Sequence, residues 1–194
     1  IRLMIKIGVL GDIGSGKSFI AKLFGCPVFN ADEEVKKVYR ENKNCYKKLN
    51  KAIPKYISSF PIDKKEITKA IISNPKNIKK INKIVHPIIR SKINKFINKN
   101  KKNKIIILDV PLLLENKISK ETNILIFVDA KRKAIIKNLK KRKNYNFKII
   151  KILKNFQLPL LYKKRKSDFI IKNNFKVKNV KKSVKLLKKK VLYR

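Results

Sequence analysis

The chain has 194 residues, 43% of them hydrophobic, which suits one α/β domain with a proper core and one or two small insertions. It holds no run of 18 apolar residues, no signal-peptide pattern and only two cysteines (Cys26 and Cys45), so a cytoplasmic protein without membrane span, disulfide framework or zinc site is expected. Lys and Arg number 53 against 12 Asp and Glu, a formal net charge of +41; yet the cations are spread over every segment and aromatic residues do not alternate with them, so specific nucleic-acid binding is not the expected main function.

The excess of Lys, Ile and Asn reads as A/T-rich codon usage, although such a field would still steer an anionic substrate. Because acids are scarce, a carboxylate at the end of a strand carries more information here than in an ordinary chain.

In chain order, residues 3–10 read as a short buried strand, followed by Gly11-Asp12-Ile13-Gly14-Ser15-Gly16-Lys17-Ser18. The octapeptide fits G-x-x-x-x-G-K-[ST], a loop whose backbone turns tightly and aims successive N–H groups at phosphate oxygens. All five glycines of the chain lie between Gly8 and Gly25, which argues against a chance match. Phe19 opens the remainder of a helix that ends at Gly25, and its N-terminal dipole favours an anion. Lys17 supplies a point charge for the β- and γ-phosphates and Ser18 a hydroxyl for Mg²⁺. Residues 11–19 are therefore expected to bind a nucleoside triphosphate.

Residues 26–31 read as a second strand leading to Asp32, residues 104–108 as a third leading to Asp109, residues 123–128 as a fourth leading to Asp129, and residues 168–172 as a fifth leading to Asn173. Their continuous Ile/Val/Leu character suits parallel strands buried on both faces. Helical patterns lie over 32–41, 64–73, 76–98, 131–143, 147–165 and 177–192, with Pro159 expected to break or bend the fifth. The expected architecture is α/β: a P-loop kinase core with a five-stranded parallel sheet flanked by helices. Residues 1–41, 104–140 and 167–194 form the expected core, 42–103 a helical insertion and 141–166 a very basic lid.

The phosphate loop alone leaves many enzymes open. A regulatory GTPase needs an Asp-x-x-Gly segment downstream, and transporter ATPases need a glycine-rich signature; no glycine follows Gly25. What remains is a compact kinase acting on a small molecule. Such an enzyme needs a carboxylate to orient the acceptor hydroxyl, a strand-end carboxylate for Mg²⁺ and lid arginines. Asp32 stands just past a strand expected to neighbour the P-loop strand, at the carboxyl edge where α/β proteins bind ligands; a helix N-cap or first-turn acid is the competing reading. Arg142 is the lid candidate, an arginine amid lysines that offers a bidentate grip on phosphate, with Arg165 a weaker second choice. His86 and Arg90, four residues apart around Pro87, share one helical face.

These residues carry a resemblance. The segments from Gly8 to Ser18, Asn30-Ala31-Asp32, His86-Pro87-Ile88-Ile89-Arg90 and Leu108-Asp109-Val110-Pro111-Leu112-Leu113-Leu114-Glu115, followed by Val128-Asp129-Ala130, Gln157, Ser167-Asp168 and Ile171-Lys172-Asn173, resemble the dephospho-coenzyme A kinases in the same order. The resemblance implies ATP-dependent phosphorylation of the ribose 3′-hydroxyl of dephospho-CoA, with ATP as co-substrate, Mg²⁺, and a helical CoA-binding insertion. It implies Asp32 as catalytic base beside Lys17, and acceptor contacts from Asp32, His86, Arg90, Leu112 and Glu115. Asp109 is preferred to Asp129 as the Mg²⁺-side carboxylate because the family's Pro-Leu-Leu-x-Glu pattern follows it; Asp129 is expected to be a turn or N-cap. A monomer is the expected state, with a homo-oligomer left open. Another small-molecule P-loop kinase and a basic nucleic-acid-binding ATPase are the alternatives. Two departures stand out. Asn30 replaces a frequent Asp, and Asp12 replaces a frequent glycine, where its carboxylate either points to solvent or repels phosphate.

Overall fold

A computed structural model describes residues 4–115, 117–142 and 145–193. In chain order its elements are β1 (Ile5–Gly11), α1 (Lys17–Leu23), β2 (Val28–Asn30), α2 (Ala31–Glu41), α3 (Lys43–Ala52), α4 (Lys64–Ser73), α5 (Asn77–Lys99) and β3 (Ile105–Asp109). A 3₁₀ turn (Ile118–Glu121), β4 (Ile124–Asp129), α6 (Arg132–Lys140), α7 (Phe147–Asn155), α8 (Leu160–Arg165), β5 (Phe169–Lys172) and α9 (Val177–Leu192) follow.

All five expected strands form, and they pair in parallel in the order β2-β3-β1-β4-β5. Side chains alternate across a strand, so Ile7 and Val9, Ile105 and Ile107, Ile124, Ile126 and Val128 share one face. That face packs against Ile20, Ala21 and Phe24 of the α1 region and against Val180, Val184, Leu187 and Val191 of α9. Leu10, Ile106, Leu108 and Phe127 on the other face are buried as well. Burial on both faces is why these strands are apolar throughout rather than alternating. The chain leaves β1 toward β2 on one side and leaves β3 toward β4 on the other. The order therefore reverses between β1 and β3, the place where open α/β sheets bind ligands beyond their carboxyl ends.

The chain divides into two compact units, residues 1–30, 100–145 and 156–194 in the first and residues 31–99 and 146–155 in the second. The first contains the whole sheet. The second is helical, with Val38, Leu49, Ile57, Ile71, Ile81, Val85 and Ile93 among its buried side chains. This division differs from the boundaries expected from sequence. Helix α2 packs with α3 and α5 and so belongs to the helical unit, and α7 packs on α4, so the expected lid is split between the units.

The secondary structure departs from the expected elements in two places and bears out the break at Pro159. Helix α3 was not anticipated; Asn42 caps it by accepting from the backbone N–H of Cys45 at 2.8 Å. As expected, Pro159 breaks the helical pattern over 147–165 into α7 and α8, because it cannot donate a backbone N–H and its φ is fixed; it stands at the N-cap of α8. Helix α6 ends at Lys140, with Arg142 in the turn after it, and Lys143 lies outside the described residues.

Candidate active site

The loop between β1 and α1 takes the form its sequence requires. Gly14 has φ 84, and a Cβ there would stand 2.6 Å from Cγ of Leu139 on α6, so neither backbone nor packing tolerates a side chain. Ser15 donates its N–H to the Asp12 carbonyl at 3.1 Å, closing the turn. The Ser15 hydroxyl is fully buried and has no hydrogen-bond partner among the described residues, which is uncommon for a buried polar atom. The Lys17 ammonium lies over its own loop, donating to the carbonyls of Gly11 at 3.2 Å and Asp12 at 2.8 Å. Ser18 sits in the first turn of α1, and Phe19 beside it is exposed.

Asp12 does not point to solvent. It is buried, and Oδ1 accepts from the Ile13 N–H at 2.7 Å, so its carboxylate occupies a backbone donor within the loop itself.

Beyond β3, Asp109 is buried at the carboxyl end of the strand, in register with Asn30 at the end of β2. The Asn30 amide donates to Asp109 Oδ2 at 2.8 Å, so the residue replacing the family's frequent Asp orients the remaining carboxylate instead of adding a second charge. The expected cap role of Asp129 is not found. Asp129 is the last residue of β4, Lys131 is the N-cap of α6, and Asp129 Oδ2 pairs with the Lys164 ammonium at 2.8 Å.

The segment after β3 forms one wall of a cavity lined also by Gly11, Lys17, Gln157 and Lys163. Leu112 lines it with φ 57, a left-handed conformation unusual for leucine. Glu115 lies close by in the chain and is almost fully enclosed. Its Oε1 accepts from the Leu158 N–H at 2.8 Å and from the Lys163 ammonium at 2.7 Å, while Oε2 is buried without a partner among the described residues. Lys163, which lines this cavity, is a residue that the sequence did not single out. It sits in a basic run, Lys163-Lys164-Arg165-Lys166, where only packing distinguishes the buried cation from its exposed neighbours. Removing one member of such a pair strands a buried charge. Lys163→Met is expected to lower the unfolding free energy by about 3–5 kcal/mol, measured by denaturant titration. The double variant Glu115→Leu with Lys163→Met is expected to recover most of that loss, and an unchanged single variant would show that the pair carries no stability.

The remaining expected site residues lie in the helical unit, apart from Arg142. Asp32 is exposed in the first turn of α2, one residue inside the helix rather than at its N-cap. Glu33 and Glu34 beside it pair with Lys36, Lys37 and Lys92, whereas Asp32 makes no ion pair among the described residues. His86 and Arg90 lie one turn apart on α5, around Pro87. Burial pushes the His86 imidazole below its ordinary range and the Arg90 guanidinium adds to this, so neutral His86 is favoured near pH 7. Arg142 is exposed just past α6.

The donor set fits a magnesium–nucleotide complex. Ser18 and Asp109 offer hard oxygens, and no group of three His, Cys, Asp or Glu among the described residues could hold an ion alone. Mg²⁺ is commonly held this way, by one or two protein oxygens with substrate phosphates completing its shell.

The family model for dephospho-CoA kinase matches residues 5–179. A dephospho-CoA kinase from Wolbachia sp. subsp. Brugia malayi (strain TRS) is 35% identical over 92% of this chain and 94% of its own. One from Wolbachia pipientis wMel is 33% identical over 85% and 87%. The fold is similar to that of TT1252 from Thermus thermophilus, with TM-score 0.78 and 22% identity over 97% of this chain and 98% of the other. It is also similar to that of the dephospho-CoA kinase from Campylobacter jejuni, with TM-score 0.68 and 22% identity over 97% of each. With a match that runs from the phosphate-loop strand through the strand-end carboxylates into the last helix, the chain belongs to the dephospho-CoA kinase family.

Proposed function

We propose that the chain transfers the γ-phosphoryl group of ATP to the ribose 3′-hydroxyl of dephospho-CoA, giving CoA and ADP. The family match over residues 5–179 carries this reading, and it leaves the nucleoside-kinase and nucleic-acid-ATPase alternatives without support. The geometry of the sheet unit agrees with it: a glycine loop with positive φ at Gly11, Gly14 and Gly16, an ammonium over that loop and a buried carboxylate at the adjacent strand end.

In this reading residues 11–19 hold the phosphates of ATP, and Lys17 balances charge that develops on the transferring group. Ser18 and Asp109 would hold Mg²⁺, directly or through water, and the ion supplies electrostatic neutralisation of the phosphates. Asp32 accepts the proton of the 3′-hydroxyl. His86 and Arg90, from an acceptor-binding segment at 42–103, and Leu112 and Glu115, from the segment after β3, contact the acceptor. Arg142 closes on the nucleotide phosphates as part of a lid over 141–166, excluding water from the transfer. The protein acts in the cytoplasm as a monomer; among the described residues no helix is long and apolar enough to cross a membrane.

ADP formation from MgATP is expected to depend on dephospho-CoA, with CoA identified as product by mass. Turnover that is equal with adenosine or another nucleoside as acceptor, or that rises only with DNA or RNA, would overturn the assignment.

A further inference from the structure

Just past the last strand stands a residue with no place in the chemistry so far. Asn173 is buried, and its backbone N–H and both polar atoms of its side chain are hydrogen-bonded. Its backbone N–H continues the ladder to β4 by donating to the Asp129 carbonyl at 2.7 Å. Its side-chain Oδ1 accepts from the Phe175 N–H at 2.8 Å, which turns the chain toward α9 through a left-handed Phe175. Its Nδ2 donates to the Ser15 carbonyl at 2.7 Å, across 158 residues of sequence. A Cβ on Gly16 would collide with that same amide nitrogen, so the absence of a side chain at Gly16 makes room for Asn173.

The consequence lies in the peptide bond that joins Ser15 to Gly16. A trans peptide is planar, and its carbonyl and N–H point in opposite directions. Holding the Ser15 oxygen toward Asn173 therefore holds the Gly16 N–H pointing the opposite way, free to serve as a donor to an anion at the helix N-terminus. Gly14 and Gly16 both have positive φ, and glycine adopts either sign of φ with little penalty. A loop of that composition flips peptides readily unless a hydrogen bond prevents it. Each flip removes one donor from the phosphate cradle and presents a carbonyl oxygen in its place.

We propose that Asn173 is a positioning residue for phosphoryl transfer: its buried amide pins the Ser15–Gly16 peptide so that the Gly16 N–H faces the phosphates of ATP. The proposal rests on the kinase reading above, and the experiment separates the two. Wild-type protein is first assayed for dephospho-CoA-dependent ADP formation; failure there removes the kinase reading before any variant is made. Asn173→Asp keeps the acceptor for Phe175 and loses the donor to Ser15, while Asn173→Leu loses both without adding charge. Both variants are expected to raise the KM for ATP about tenfold or more, to leave the KM for dephospho-CoA within twofold, and to unfold cooperatively. In wild-type protein the Gly16 amide resonance is expected to shift on addition of ADP, and in the variants to lose that shift. An unchanged KM for ATP in either folded variant would overturn the proposal, as would an equal rise in both KM values. Failure of both variants to fold would overturn it too, because the tether would then serve the fold and not the site.

Discussion

Lys17→Met is expected to reduce kcat/KM for ATP by roughly 10³, about 4 kcal/mol of lost transition-state stabilisation, with a folded protein of near-unchanged stability. The stability expectation follows from the Gly11 and Asp12 carbonyls on its own loop, to which the ammonium donates and which water satisfies at small cost in its place. The activity expectation follows from charge. Phosphoryl transfer leaves little covalent work for the protein and depends on fixed positive groups near the phosphate oxygens. Asp12, whose carboxylate is buried in the same loop, sharpens that dependence by adding negative charge where phosphate must sit. The measurement is steady-state kinetics with ATP varied at saturating dephospho-CoA. A loss below about tenfold would show that the loop N–H groups carry the charge without the lysine.

The second large effect is expected at Asp32. Asp32→Asn keeps shape and removes the proton acceptor, and a positioned general base contributes about 10²–10⁴ in rate. A fall in kcat of at least roughly 10² is expected, with the KM for ATP little changed. The environment of Asp32 suits this role better than that of its neighbours, since Glu33 and Glu34 are held by lysines and Asp32 is exposed and makes no such pair among the described residues. Turnover that persists within about tenfold would assign Asp32 to the first turn of α2 alone, where an acid favours the helix dipole.

The phosphate loop and the five strands were legible because each depends on local constraints. Glycine appears only where the backbone needs it, and a strand buried on both faces has to be apolar along its length. Pro159 likewise announced a break in the basic segment, although not that the two resulting helices would join different units. Helix α3 went unrecognised because lysine fills much of its length and leaves Cys45 and Leu49 as its buried residues. The order of the strands is a different kind of fact, since any of several permutations would satisfy the same apolar runs.

Roles that rest on pairing were not legible. Lys163 and Lys164 are adjacent lysines, yet one is buried against Glu115 and the other pairs with Asp129. Asp12 could be recognised as an intruder in the loop, but its bond to Ile13 could not. By itself the sequence determined the chemistry of the phosphate loop, the parallel α/β class and the carboxylates available at strand ends, because short-range sterics and burial dictate them. Only the tertiary structure decided that Asn30 orients Asp109, that Lys163 is a buried cation, and that Asn173 reaches back to Ser15. Those depend on which groups a chain of uniform composition brings within 3 Å of one another, and distance across the fold leaves no mark on local pattern.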